Sequence, residues 1–108
     1  MNDHKRLEDI LREIKAIQSL SLRTFEEFES DLSGQRAVMY SLIIMGEAAN
    51  QVSPGFQDEH SEIPWSAMIG TRNVVVHGYD QVKLHIVWEI VQRDLSDLQR
   101  AVINALQK

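Results

Sequence analysis

Apolar residues recur at helical spacing near the start of the chain. They lie three or four positions apart, at Leu7, Ile10, Leu11, Ile14 and Ile17. A stripe of this kind predicts an amphipathic first helix. The charged residues between the stripe positions, including Asp9 and Glu13, are expected on the opposite side of the helix, in water.

A second helix is predicted from about residue 35 to residue 52, after a capping box at Thr24 and Glu27 and a polar turn at 31–34. Its apolar residues follow two lines. The first line is Tyr40, Ile44 and Ala48, and the second is Val38, Leu42, Met45, Ala49 and Val52. A helix with so wide an apolar surface needs more than one neighbour. These neighbours belong either to the same chain or to a second copy of it, and we favour the second copy.

Two more helices complete the pattern. A polar connector at 53–63, with a turn at Pro54-Gly55, leads to a third helix that begins at Pro64 and closes at Gly78 in a left-handed conformation. The apolar face of this helix is predicted to be Trp65, Met68, Ile69 and Val76. The last helix has a stripe of about six turns, formed by Leu84, Val87, Trp88, Val91, Leu95, Leu98, Val102 and Leu106.

Strand patterns are weak, since only the run 74–76 is β-like and it lies within helical periodicity. We therefore predict an all-α fold. Residues 1–108 are expected to form one domain, an antiparallel bundle of four to five helices that pairs as a homodimer.

Composition narrows the functional classes. Cysteine is absent, which excludes disulfides, thiolate catalysis and cysteine-based zinc sites. No apolar run is long enough for a membrane span, and no secretory signal is visible at the start, so a cytoplasmic protein is expected. The net charge is −5, and all of this excess lies in residues 1–61, whereas residues 62–108 are neutral. Anion-binding chemistry is therefore expected in the second half.

The candidate chemistry lies at the end of the third helix, in Arg72, Asn73, His77 and Tyr79. An arginine presents a permanently charged planar fork that matches phosphate oxygens. An imidazole can take up a proton at one stage of a reaction and return it at another. Asn73 can orient the imidazole or bind the substrate, and the Tyr79 hydroxyl can contact phosphate or be modified. Arg72 and His77 are five residues apart, hence roughly 140° around the helix. Two copies of the helix would be needed to surround one substrate with both groups.

Structural roles are also compatible with these residues. His77 can cap carbonyl groups at the helix end, Tyr79 can pack over the end of the bundle, and Asn73 can be a surface residue. Trp65 and Trp88 are expected in the core. The remaining histidines, His4, His60 and His85, are expected to be exposed, and no histidine pair has the spacing of metal ligands, so no metal site or cofactor is predicted. Glu47, an ionisable residue on an apolar helix, is expected at an interface or a partly solvated edge.

Three segments resemble one known family. Residues 72–79, R-N-V-V-V-H-G-Y, resemble the R-x4-H-x-Y motif of HepT-type toxins in the HEPN superfamily. Residues 44–49 resemble the I-G-E-A helix of that family, and residues 63–65 resemble its I-P-W entry to the motif helix. Each segment is weakly specific alone, but their common order and spacing make the resemblance specific, and it extends from Leu7 to Leu106.

This resemblance implies a dimeric helical bundle that cleaves RNA without a metal ion, with Arg72 and His77 catalytic. It also implies a toxin–antitoxin system, of type II or similar to type VII. The expected partner is a nucleotidyltransferase antitoxin that transfers AMP to the motif tyrosine, here Tyr79. A second hypothesis is a non-catalytic helical subunit that presents substrate to a nucleotidyltransferase. A third is a dimeric interaction module whose motif residues are structural caps.

Overall fold

The computed structural model describes residues 2–107, and every regular element in that range is helical. The long helices are α1 (Asp3–Gln18), α3 (Leu32–Asn50), α5 (Trp65–His77) and α7 (Leu95–Leu106), and the shorter ones are α2 (Phe25–Glu29), α4 (Pro54–Glu59) and α6 (Leu84–Glu89). A 3-10 turn at Tyr79–Gln81 follows α5, and a π-helical segment at Ile90–Asp94 joins α6 to α7. The predicted all-α class is confirmed. The predicted last helix corresponds to α6, the π segment and α7 in succession.

Side-chain caps determine where several helices begin. The Thr24–Glu27 capping box is confirmed, since each side chain accepts a hydrogen bond from the backbone N–H of the other residue. The Asp31 carboxylate accepts from the Gly34 N–H at 2.9 Å, so α3 begins at Leu32, a few residues earlier than predicted. Ser53 caps α4, a short helix in the connector that was predicted to be a polar turn.

The core lies where α3 packs against α1 and α5, with α7 packed against α1, and Phe28 stacks on Trp88 with ring centroids 5.6 Å apart. Two polar contacts show that α1 and α3 are antiparallel. Ser41 Oγ donates to Glu13 Oε1 at 2.9 Å at one end, and Ser53 donates to the Asp3 carboxylate at the other. Trp65 is buried as predicted, and Trp88 is partly buried against the core.

The predicted solvent side of α1 is wrong at two positions, because Asp9 and Glu13 are buried. Asp9 Oδ1 lies 2.5 Å from Lys5 Nζ and 3.1 Å from Arg12 Nη1. The hydrogen bond from Lys5, helped by Arg12 and opposed by burial, lowers the pKa of the Asp9 carboxyl. Both acids can be buried because their carboxylates have partners, Lys5 and Arg12 for Asp9 and Ser41 for Glu13.

Two local predictions about α5 also change. Val75 is buried in place of Val76, since the stripe Trp65, Met68, Val75 faces the rest of the chain. The helix does end at His77, as expected. Gly78 has φ −143° and ψ 40°, however, so it is not left-handed.

The prediction for His60 is wrong as well. Its ring is buried against Phe56, with centroids 4.4 Å apart, and its carbonyl accepts from Trp65 Nε1 at 3.0 Å. The short helix α4 brings these three rings together. His4 and His85 are exposed, as predicted. No helix in the described part of the chain is both long and apolar enough to cross a membrane.

Candidate active site

Gly46 places α5 directly on α3. A Cβ built at Gly46 would lie 2.8 Å from the Met68 carbonyl oxygen and would overlap the Arg72 Cβ. Only a residue without a side chain allows this approach, so the helix that carries the motif crosses α3 at a fixed point. Arg72 therefore lies within the buried stripe of α5, between Met68 and Val75, and its stem is packed against α3.

The Arg72 guanidinium leaves that contact and is held from two sides. Nη2 lies 2.5 Å from Glu47 Oε1 on α3, and Nη1 donates to Asn73 Oδ1 at 2.9 Å. Its Nε atom is buried and has no hydrogen-bond partner among residues 2–107. The arginine that the motif singles out is thus an oriented group, with 29% of its side chain exposed.

The other motif side chains lie on open surface. Asn73 and His77 are exposed on α5, outside the buried stripe, and Tyr79 is 74% exposed in the 3-10 turn. No side-chain hydrogen bond or ion pair involves His77 or Tyr79 within the described range. His77 therefore caps no carbonyl, and Tyr79 does not pack over the bundle end. The structure brings Arg72 and Asn73 together and leaves His77 and Tyr79 free.

Glu47 is the residue whose position the sequence argument left open. It lies at a partly solvated edge, one of the two positions expected, with 44% of its side chain exposed, and there it forms the ion pair that holds Arg72. The available signal was an acidic residue on an otherwise apolar helix, directly after a glycine. The partner of Glu47 was not readable from spacing, because it lies on a different helix 25 positions further along the chain.

Exposed apolar side chains lie on both helices that form this region. Tyr40 on α3 is 65% exposed and Val74 on α5 is 57% exposed, and Val76 is exposed as well. On α3 the second predicted line of apolar residues is buried, whereas Tyr40 of the first line is exposed. The chain therefore covers one apolar line of α3 fully and the other only in part.

A cavity of about 410 Å³ opens on another side of α5. Met45, Met68, Leu95 and Leu98 are among its lining residues, with Asp94 and Asp97 beside them. None of the four motif side chains lines it. Because an acidic rim repels phosphate, the cavity is not a good site for an RNA backbone. In the described residues, no three acidic or histidine side chains are placed to hold a metal ion.

Comparisons with known proteins point to one family. The family model described as Ribonuclease HepT-like matches residues 10–105. A protein named "Putative RNase" from Caldanaerobacter subterraneus is 35% identical over 103 residues, which is 94% of this chain and 92% of that protein. A "Probable ribonuclease HepT" from Thermococcus cleftensis is 35% identical over 94 residues, or 86% of each chain. A "Putative RNase" from Methanocaldococcus jannaschii is 35% identical over 86 residues, covering 79% of this chain and 71% of its own. No solved structure matches the chain.

Proposed function

The chain belongs to the HepT-like ribonuclease family, and we propose that it is the toxin of a toxin–antitoxin pair, an endoribonuclease that works without a metal ion. Arg72 and His77 are its proposed catalytic residues, with Asn73 and Tyr79 contacting or orienting the substrate. The observation that carries the proposal is how the Arg72 and His77 side chains are placed. Arg72 is held in one orientation by Glu47 and Asn73, and His77 is exposed with no partner of its own.

In the proposed reaction, the ribose 2′-oxygen attacks the adjacent phosphorus. An O2′–P bond forms and the P–O5′ bond breaks, which leaves a 2′,3′-cyclic phosphate and a 5′-hydroxyl. His77 takes the proton from the 2′-hydroxyl, and the departing 5′-oxygen receives a proton from an imidazolium or from water. Arg72 stabilises the negative charge that builds on the phosphoryl oxygens. Arg72 thus supplies the charge stabilisation and His77 the proton transfer that this reaction requires.

We propose that two copies of α5 form one cleft. Within a single chain Arg72 faces α3 and His77 faces away from it, so one copy does not place both groups around one phosphate. The exposed apolar side chains Tyr40, Val74 and Val76 lie on the same two helices and offer a surface for the second copy. This pairing would cover the partly exposed line of α3.

The dimer is tested by mass measurement in solution. Val74→Glu should convert a wild-type dimer into a monomer, because a carboxylate at a buried interface is strongly unfavourable. Leu32→Glu is the matched control, since Leu32 is 56% exposed and lies at the start of α3, away from the motif. A wild-type monomer at high concentration, or a Val74→Glu dimer, would contradict the pairing.

Cleavage is tested with purified protein and labelled RNA in the presence of a chelator. Wild type should cut, and Arg72→Ala and His77→Ala should each lose activity by about 100- to 10,000-fold. His85→Ala, which changes an exposed histidine outside the motif, should cut like wild type. A 2′-deoxy nucleotide at the cleaved position should block the reaction. A wild-type protein that leaves RNA intact would favour the non-catalytic subunit instead.

We further propose that a nucleotidyltransferase antitoxin silences the protein by attaching AMP to Tyr79. The exposed hydroxyl in the short turn after α5 supports this, because a transferase can reach it. Intact mass after co-expression should increase by whole AMP units, and Tyr79→Phe should abolish the increase. Tyr40→Phe is the control, since Tyr40 is also exposed. An increase that disappears with Tyr40→Phe and survives Tyr79→Phe would show that Tyr40 is the modified residue and would contradict the proposal.

A further inference from the structure

One ion pair connects the motif helix to the central helix. Glu47 Oε1 on α3 lies 2.5 Å from Arg72 Nη2 on α5, and 44% of the Glu47 side chain is exposed. A partly exposed pair of this kind contributes little to folding stability. Its position at the one arginine of the motif therefore suggests a role in orientation.

The packing around the pair leaves the guanidinium little freedom. Gly46 allows the Arg72 stem to lie against α3, and Glu47 is the next residue along the same helix. The point of closest approach and the carboxylate that holds the arginine head therefore belong to one turn of α3. Asn73 holds the second arm from α5 itself.

Counting donors shows what remains for a substrate. A guanidinium carries five N–H groups, two on each terminal nitrogen and one on Nε. Asn73 accepts one N–H of Nη1, and Glu47 forms an ion pair with Nη2, so both terminal nitrogens keep N–H groups for a substrate. Two parallel N–H groups are the arrangement that grips two phosphate oxygens at once.

We infer that Glu47 is a positioning residue for the reaction proposed above, and that it acts through Arg72. It aims the remaining N–H groups of the two terminal nitrogens at the phosphate in the transition state. Its negative charge also opposes binding of the polyanionic substrate. Loss of Glu47 should therefore weaken catalysis and leave substrate binding equal or stronger, a combination that general damage to the fold would not produce.

The test compares Glu47→Ala with Glu47→Gln. In the alanine variant kcat should fall on the order of 10- to 100-fold, because a misplaced catalytic group loses rate steeply with distance. KM should be unchanged or lower. Glutamine retains an oxygen that can accept from Arg72, so it should recover part of kcat. Glu89→Ala is the matched control, since Glu89 forms an exposed pair with Arg93 at 3.5 Å and should alter neither constant.

A binding measurement gives a readout that does not depend on cleavage. Fluorescence anisotropy with a 2′-O-methyl RNA of the same sequence, which lacks the attacking hydroxyl, should show Glu47→Ala binding as tightly as wild type or tighter. Weaker binding by both Glu47 variants, with the Glu89→Ala protein unchanged, would overturn the inference.

The double variant Glu47→Ala with Arg72→Ala shows whether the two residues act together. It should cut no more slowly than Arg72→Ala alone, because Glu47 has no effect once its partner is gone. A further loss in the double variant would overturn the inference, and so would a Glu47→Ala protein with wild-type kcat. If the wild type cuts and Arg72→Ala does not, either result contradicts only the role of Glu47. If the wild type is inactive, the proposed function itself is wrong.

Discussion

Polar groups at the two faces of α3 differ in burial and in how fully they are hydrogen-bonded. On the face that contacts α1, the buried Glu13 of α1 accepts from Ser41 of α3, and Asp9, also buried on α1, is paired with Lys5. On the face that contacts α5, Arg72 and Glu47 pair at the boundary with solvent, and Arg72 retains unpartnered N–H groups. Apolar side chains are buried on the first face, whereas Tyr40, near the second, is exposed.

This difference separates groups that hold the fold from groups that are available for a ligand. A buried acid with every oxygen satisfied stabilises one arrangement of helices and has nothing left to offer. An oriented cation with spare donors is preorganised for an anion, and costs no reorganisation when the anion arrives. One helix thus serves as the core of the bundle on one side and as the support of the candidate site on the other.

The largest expected effect on stability is on the first face. Ile14 on α1 is fully buried, and Ile14→Ala should reduce the free energy of unfolding by about 2–5 kcal/mol. Chemical denaturation measures this loss. At a temperature where the variant is folded, its specific activity on RNA should equal that of wild type. A variant of normal stability with reduced activity would show that the two faces are not separable.

A glycine pair tests the contact between α3 and α5. Gly46→Ala forces a Cβ to within 2.8 Å of the Met68 carbonyl oxygen, so the helices must separate, at a cost of about 1–3 kcal/mol. Activity should fall with stability, because Arg72 moves with α5. At Gly70, also within a helix, nothing lies within 4 Å of an added Cβ. Gly70→Ala should therefore stabilise the protein by about 0.5–1 kcal/mol. Equal melting temperatures for the two variants would contradict the close approach at Gly46.

Acid should weaken the first face of α3. The pKa of Asp9 is held below its ordinary value by the hydrogen bond from Lys5 and by Arg12. Its contribution is fully present above the unfolded pKa of about 4, and is lost as the pH falls through the lower folded value. Asp9→Asn should cost about 1 kcal/mol at neutral pH, since the cations that pair with it are partly exposed, and should flatten the loss of stability below pH 4. Asp97→Asn, which removes an exposed pair with Arg100, is the matched control. A wild-type pH profile in Asp9→Asn would contradict this account.

The sequence predicted where the helices lie better than it predicted which side chains contact one another. Periodicity located the four long helical runs because a buried stripe repeats every three or four residues whatever covers it. It placed Asp9 and Glu13 in solvent because a pattern of residue types carries no information about Lys5, Arg12 and Ser41 as neighbours that satisfy them. The helix α4 was missed because Pro54-Gly55 is typical of a turn, although Ser53 with a following proline is also a helix start.

The candidate site shows the same limit. Arg72, Asn73, His77 and Tyr79 were identified from one short segment, since local spacing was enough to group them. Glu47 was not assigned, because its role depends on how two helices cross at Gly46, and that is a property of the packed structure.

The smallest expected effect on stability is at His77. It gives the clearest distinction between residues that hold the fold and residues that are available for a ligand. The imidazole is exposed and makes no side-chain hydrogen bond within residues 2–107, so His77→Ala should change the free energy of unfolding by no more than about 0.5 kcal/mol. Loss of a residue that capped the helix end would cost roughly 1 kcal/mol instead. Thermal melting of the variant beside His85→Ala, another exposed histidine, distinguishes these two values. A clear loss of stability only in His77→Ala would make His77 a structural residue.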